Sequence, residues 1–362
     1  MRYKIGLIAA VAIVLAATSS VFAQETPTII KDWVKVQAST VNNLKGDWDK
    51  WSWVPAIDFR VNGPIESGSQ LYVEFSYPGA TSWVKFDCDT GPIQKGRWWN
   101  TSCGGRDIPE EKSTLYTGPV TFAIKMRNEL AGTDSTIFTG KAKVGKVKSN
   151  EQGPKAVNKF VYYVDHDAEL PVGYVFLTPD DVDGWKRTHV NVAFWVRGEG
   201  VRMDPHLFFQ GKEVGKLFYE GQEVGKPGCD SEIDINTTHF VDDSVPQKAK
   251  WSRVRCSFPS ILGADTTGDG PSMFGRMYEL SKNPGEYEFK LLWNNKLSRS
   301  VKFTVNPGGS FDNGIATSNK LGEDRVIVPV TVLGDQDGIW NKTAWKTDGF
   351  YGNPLTGFTA MQ

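Results

Sequence analysis

The chain has 362 residues, of which 41 are Lys or Arg and 42 are Asp or Glu, so its formal net charge is −1. This even balance argues against a protein that binds nucleic acid through one strongly basic face. The length is sufficient for about two domains.

The first 23 residues have the composition of a secretory signal peptide. Arg2 and Lys4 precede an apolar run over residues 5–17, and Val21 and Ala23 are the small residues of a cleavage site. The run is shorter than the ~20 residues that a membrane-spanning helix needs. We therefore expect cleavage, no membrane span afterwards, and a protein that is periplasmic, extracellular or associated with the cell surface.

Apolar and polar residues alternate along most of the remaining chain. Residues 71–77, 120–126, 190–196 and 287–293 all have apolar side chains at every second position. This period is typical of antiparallel strands that are half buried, with one face toward a core and the other toward solvent. The pattern predicts an all-β protein made of sandwiches.

The sequence also repeats itself around its cysteines. Residues 71–79 align with 190–198 without a gap, and each segment is followed by a Cys-Asp pair. In each repeat a Trp then comes five residues before a second Cys, and a Gly opens another alternating run. A repeat of this length predicts two tandem copies of one β-sandwich domain. The Trp of each repeat, Trp98 and Trp251, is assigned to the core.

Four cysteines in an exported chain indicate disulfides, and four allow three pairings. Because duplicated domains should close the same local loop, we predict the bridges Cys88–Cys103 and Cys229–Cys256.

The predicted boundaries follow the repeats. Residues 145–159 are polar and are interpreted as the linker. The predicted regions are a signal peptide (1–23), a first sandwich (24–150), a second sandwich with loop insertions (151–308), and an edge strand with an aromatic C-terminal tail (309–362). The edge assignment depends on Pro329, which lacks the N–H that an interior strand needs. A strand of this kind either folds back on its own domain or mediates self-association.

The second repeat contains a smaller duplication. Residues 207–216 and 217–226 are identical at seven of ten positions. Each copy has the pattern of a strand, a Gly turn and a strand start, so we predict an extra hairpin.

One short motif points to a fold family. The segment Pro284-Gly285-Glu286-Tyr287, with Leu280 before it, resembles immunoglobulin-like and fibronectin type III-like domains. The resemblance implies that Tyr287 is structural and that its hydroxyl binds the backbone at a strand corner. The first repeat has Val120 in the Tyr position and departs from this pattern.

No catalytic motif is present in the sequence. The four histidines are scattered, and pairing uses all four cysteines, so we predict a protein that is not an enzyme. Three Asp-rich segments at 180–184, 265–270 and 335–338 are interpreted as turns, because none matches the EF-hand calcium loop. We predict no metal and no cofactor.

Aromatic residues outside the repeat are the candidate binding residues, because the fold does not need them twice. Trp195 points to the face opposite Val192 and Phe194, where it either binds a ligand or is buried under a loop or the other domain. The candidates are Trp51, Trp53, Trp83, Trp99 and Trp195. We predict a non-catalytic binding or assembly module with a protein or glycan ligand outside the cytoplasm. The alternatives are a carbohydrate-binding protein that uses exposed aromatics and a secreted hydrolase with acidic residues in the domain-2 insertions.

Overall fold

A computed structural model describes most of the chain, and the structural statements below concern only the residues it describes. These are 27–41, 51–94, 98–104, 110–151, 159–182, 185–199, 202–219, 222–224, 226–233, 244–263, 278–312, 315, 318–319, 325–347 and 355–361. The signal peptide lies outside the described residues. None of the described helices is long and apolar enough to span a membrane.

Eight strands build the first sandwich. They are β1 (Thr28–Val41), β2 (Ser52–Asn62), β3 (Ser69–Tyr77), β4 (Ala80–Gln94), β5 (Trp98–Gly104), β6 (Gly118–Asn128), β7 (Thr133–Lys148) and β8 (Phe160–Val164). The strand order is β1-β2-β5-β4-β3-β6-β7-β8. The first part of β4 pairs with β3 and its second part pairs with β5. One core lies between the set β1-β2-β5-β4 and the set β3-β6-β7-β8. Ile57 and Phe59 come from the first set, and Val73 and Phe122 come from the second.

Twelve strands follow. They are β9 (Val172–Val182), β10 (Trp185–Arg197), β11 (Met203–Phe209), β12 (Lys212–Val214), β13 (Leu217–Tyr219), β14 (Gln222–Val224), β15 (Gly228–Ile233), β16 (Trp251–Leu262), β17 (Tyr278–Glu279), β18 (Gly285–Trp293), β19 (Lys296–Val305) and β20 (Arg325–Val332), followed by helix α1 (Ala344–Thr347). The order in the second sandwich is β12-β11-β18-β19-β20-β9-β10-β16-β15. Its core packs Val192, Phe194 and Val254 against Phe289 and Val301. The predicted all-β fold of two tandem sandwiches is confirmed.

The two sandwiches share one strand order. The sets β1-β2-β5-β4 and β3-β6-β7-β8 of the first correspond to β9-β10-β16-β15 and β11-β18-β19-β20 of the second. The counterpart of β10 is therefore β2, whereas the sequence alignment matched β10 with β3. The segments 57–63 and 192–198 have buried side chains at the same spacing and end at Gly63 and Gly198, whose φ angles are 100° and 103°. The alignment was wrong by one strand because alternating strands resemble one another.

Both predicted disulfides are present. Cys88 faces Cys103 across β4 and β5, and Cys229 faces Cys256 across β15 and β16. Each bridge joins adjacent strands of one sheet, which agrees with a spacing too short for the bridge that joins the two sheets of an antibody domain. Disulfides of this kind are stable in an oxidising environment outside the cytoplasm.

The duplicated segment forms the predicted extra hairpin. Leu207 pairs with Val214 across β11 and β12, and Leu217 pairs with Val224 across β13 and β14 in the same register. In the first sandwich the single strand β4 occupies the position that β12 and β15 occupy in the second. The second hairpin therefore lies in an insertion that divides the counterpart of β4.

Two strands belong to other parts of the fold than the predicted boundaries indicate. β8 pairs with β7 of the first sheet, so the predicted boundary at residue 150 separates it from its own domain, and residues 145–148 of the predicted linker belong to β7. β20 pairs with β9 through residues 325–329 and with β19 through residues 330–332, so it is an interior strand. Pro329 is tolerated because it lies where the pairing passes from one neighbour to the other. β8 and β20 are the last strands of their sandwiches.

Candidate functional site at the junction of the two sandwiches

Three of the five candidate binding tryptophans are buried. The exposed fractions of Trp51, Trp53 and Trp195 are 7%, 0% and 6%. The indole N–H of Trp53 donates to the carbonyl of Tyr116 at 2.8 Å. These three rings are therefore packed inside the molecule and do not form a surface on which a ligand stacks.

The other two candidates are partly exposed and tied to the first sandwich. Trp83 packs edge-to-face on Trp53 with ring centroids 5.1 Å apart, and its N–H donates to the carbonyl of Lys112 at 2.8 Å. The N–H of Trp99 donates to the carbonyl of Gly63 at 3.2 Å. Because both N–H groups are used within the fold, these contacts indicate structural roles.

The residues predicted to be structural are buried wherever the structure describes their side chains. Trp251 is fully buried, and Tyr287 is 1% exposed. The hydroxyl of Tyr287 donates to the carbonyl of Asn283 at 2.8 Å, which is the corner contact implied by the resemblance. This hydroxyl sits in a desolvated site, and burial raises the pKa of Tyr287 well above its usual value of 10.0. The side chain of Trp98 lies outside the described residues.

The junction between the two sandwiches lies on the outer face of β10 and β16. Side chains on this face alternate with those of the core and include two tryptophans and three arginines. Trp195 does point away from the core, as predicted, but His166 stacks on it with ring centroids 3.8 Å apart. His166 also meets Trp251 edge-to-face at 5.5 Å, and its Nδ1 contacts the carboxylate of Glu169. The segment that links the sandwiches therefore covers this face. The members of the face are Ala193, Trp195, Arg197, Trp251, Arg253 and Arg255.

A bulge in β1 brings the first sandwich to the same face. Ile30 pairs with Arg60 and Lys35 with Asp58, so residues 31–34 stand opposite one residue of β2. Bulges of this kind redirect side chains away from the regular ladder. Trp33 lies on this bulge. Its ring centroid is 3.1 Å from the Cζ of Arg60 and 4.4 Å from the Cζ of Arg253, which belongs to the second sandwich.

A buried polar network fixes the segment after β20 to the junction. Arg197 binds the carboxylate of Asp167, whose other oxygen accepts from the backbone N–H of Asn341 at 2.8 Å. Asp337 accepts from the backbone N–H of Arg197 at 2.9 Å and from Arg299 at 2.7 Å. Burial raises the pKa of Asp167 above its usual value. Asp337 belongs to one of the predicted turns, and its charge is paired with the guanidinium of Arg299.

An apolar patch completes the junction. Val147 and Val161 of the first sandwich pack against Val245 and Ala249, which precede β16. The backbone N–H of Asn150 donates to the carbonyl of Ser244 at 2.8 Å. These contacts hold the two sandwiches in a defined arrangement.

A cleft of about 150 Å³ opens beside Trp33. The cleft combines an aromatic ring from the first sandwich with a small apolar residue and charged side chains from the second. Arg255 approaches Asp230 at 3.5 Å, and Asp230 is 84% exposed. The cleft therefore offers a ligand both charged groups and groups that form hydrogen bonds. Its lining residues are Trp33, Ala193, Asp230, Ser231, Arg253 and Arg255.

Sequence reasoning missed this site. Nothing in the residues around Trp33 marks the bulge that brings it to the cleft. The arginines had a visible signal: Arg253 and Arg255 follow Trp251 at the period that places them on one face of a strand. What the pattern did not reveal is that the first sandwich lies over them.

A larger depression of about 310 Å³ lies over β3, β6 and β7. Its lining includes Thr121, Ala123 and Gly140, and its one carboxylate, Glu74, is already paired with Lys125 at 2.6 Å. No arginine is among its described lining residues, and the one aromatic residue there, Phe122, is buried, so we favour the junction cleft as the candidate site.

Within the described part of the chain, no three His, Cys, Asp or Glu side chains are grouped so that they would hold a metal ion. Comparison with known proteins finds no matching family model and no match among curated proteins.

Proposed function

We propose that the protein is an exported, non-catalytic binding module whose ligand binds in the cleft at the junction of the two sandwiches. The observation that carries this proposal is that both sandwiches contribute to the cleft, through Trp33 on one side and Arg253 and Arg255 on the other. The apolar and polar contacts of the junction hold these side chains in place, which lowers the entropic cost of binding a ligand there.

Export is supported by the composition of the first 23 residues and by the two disulfides, which suit an oxidising compartment. A module of this kind would act in the periplasm, at the cell surface or outside the cell.

Three observations bear on the alternatives. On β12, beside the domain-2 insertion, Glu213 is engaged by His206 at 2.7 Å and by Lys216 at 3.0 Å, so it is a poor acid catalyst for a hydrolase. β20, the strand considered for self-association, is paired on both sides within its own sandwich. Three of the five predicted aromatics are buried and the other two are only partly exposed and bonded within the first sandwich, so we expect a glycan ligand to use the junction cleft.

The test is a nuclear magnetic resonance titration of the mature chain, residues 24–362, with a neutral cello-oligosaccharide and an acidic oligouronate. We expect at least one probe to shift the resonances of Trp33 and Arg253 without being converted to a product. Ser231→Trp should block this binding, because Ser231 is exposed and lines the cleft. Shifts that Ser231→Trp leaves intact, or turnover of either probe, would contradict the proposal.

A further inference from the structure

We propose that the junction cleft recognises the negatively charged group of an acidic saccharide. This inference rests on the proposed function and names the ligand class of the same site.

The charge of the described lining favours an anion. Arg253 and Arg255 face the cleft, and Arg60 lies against the ring of Trp33. The carboxylate in the lining belongs to Asp230, which is 84% exposed and 3.5 Å from Arg255. An ion pair that is so open to solvent contributes little and leaves most of the five N–H donors of Arg255 available to a ligand.

The geometry of guanidinium groups favours an oxyanion. Arginine presents a planar fork of donors that matches a carboxylate or a sulfate group with two parallel hydrogen bonds. Arg253 and Arg255 are two residues apart on one strand, so both side chains leave the same face of β16. Stacking against Trp33 restricts the side chain of Arg253, so this wall of the cleft loses less entropy when a ligand binds.

The remaining lining suits a sugar that carries the anion. Trp33 and Ala193 supply a small apolar surface, and Ser231 and Asp230 supply groups that hydrogen-bond to hydroxyls. The volume of about 150 Å³ equals that of about five water molecules at ~30 Å³ each. A cleft of this size matches one charged sugar unit.

The experiment compares three probes on the mature chain: sodium glucuronate, glucose and inorganic sulfate. Glucuronate and glucose differ in the group at one carbon, so their ratio isolates the carboxylate. We expect glucuronate to bind at least about tenfold more tightly than glucose and also more tightly than sulfate, and we expect its affinity to fall as salt rises. Equal affinity for glucose and glucuronate would show that the cleft does not recognise the carboxylate. Equal affinity for sulfate and glucuronate would show that it does not recognise the sugar.

Variants at Arg255 locate the binding. Arg255→Ala should weaken glucuronate binding at least about tenfold, and Arg255→Lys should give an intermediate loss, because it keeps the charge without the fork. Lys302→Ala removes an exposed positive charge from β19 and should leave the affinity unchanged. Glucuronate that binds Arg255→Ala as tightly as the parent would refute this inference. If glucose binds and Ser231→Trp blocks it, the proposed function stands and only the anionic specificity fails.

Discussion

Truncation after Gly309 tests the place of β20 in the fold. The cut removes β20, which contributes Val326, Val328 and Val330 to the core of the second sandwich and Ile327 to a cluster on its outer face. These four side chains are at most 6% exposed. Burying a Val or Ile side chain contributes about 1.5–3 kcal/mol, so their loss removes roughly 6–12 kcal/mol. A whole domain is stable by about 5–15 kcal/mol, so we expect the second sandwich not to fold.

The assay is urea denaturation of residues 24–309 beside the mature chain, with tryptophan fluorescence and near-ultraviolet circular dichroism. The first sandwich, β1–β8, should keep its own transition and its Cys88–Cys103 bridge, while the transition of the second sandwich disappears. A truncated monomer that retains both transitions at unchanged urea concentrations would refute the interior placement of β20.

Point substitutions in the same strand give a matched comparison. Val330 is fully buried, and Val330→Ala should lower the free energy of unfolding of the second sandwich by about 2 kcal/mol. Thr331 lies on the opposite face and is partly exposed, so Thr331→Ala should change it by less than about 0.5 kcal/mol. Similar losses for the two variants would show that the packing of β20 is not what stabilises the domain.

Three further predictions concern the polar network and the bridges. Asp337→Ala leaves the buried Arg299 without its carboxylate and should cost about 3–5 kcal/mol in urea denaturation; a loss below 1 kcal/mol would contradict the pairing. Replacing Cys88 and Cys103 by Ser opens a 15-residue loop and should cost about 3 kcal/mol, measured against the parent under non-reducing conditions. Because burial raises the pKa of Asp167, the folded state binds a proton more readily than the unfolded state. The contribution of this carboxyl to the free energy of unfolding should therefore fall as the pH rises from about 3.8 upward. Asp167→Asn should abolish that component, so the parent should lose stability relative to the variant as the pH increases; parallel curves would show that this carboxyl does not contribute.

Much of the fold was predictable because it depends on local pattern. Alternation at every second residue identified the strands around Phe75 and Phe194, and the spacing of the cysteines identified both bridges. The duplicated segment after Leu207 predicted its hairpin, because a Gly turn between strand-forming residues selects that structure locally.

The assignment of strands to neighbours was not predictable in the same way. A strand carries the period of its exposed and buried faces but nothing that identifies its partner. The alignment therefore matched β10 with β3, whereas the structural counterpart of β10 is β2. For the same reason β8 was assigned to the wrong sandwich, and Pro329 suggested an edge where the pairing passes between two strands.

The sequence by itself determined the all-β class, the two disulfides and the direction in which Trp195 points. Only the tertiary structure decided whether Trp195 is exposed, because its burial depends on His166, which lies 29 residues away in the segment that crosses between the sandwiches. The same holds for the cleft. Trp33 and Arg253 are separated by 220 residues, and they meet because a bulge in one sandwich is held against the outer face of the other. A contact of this kind is set by the packing of whole domains, and no local pattern encodes it.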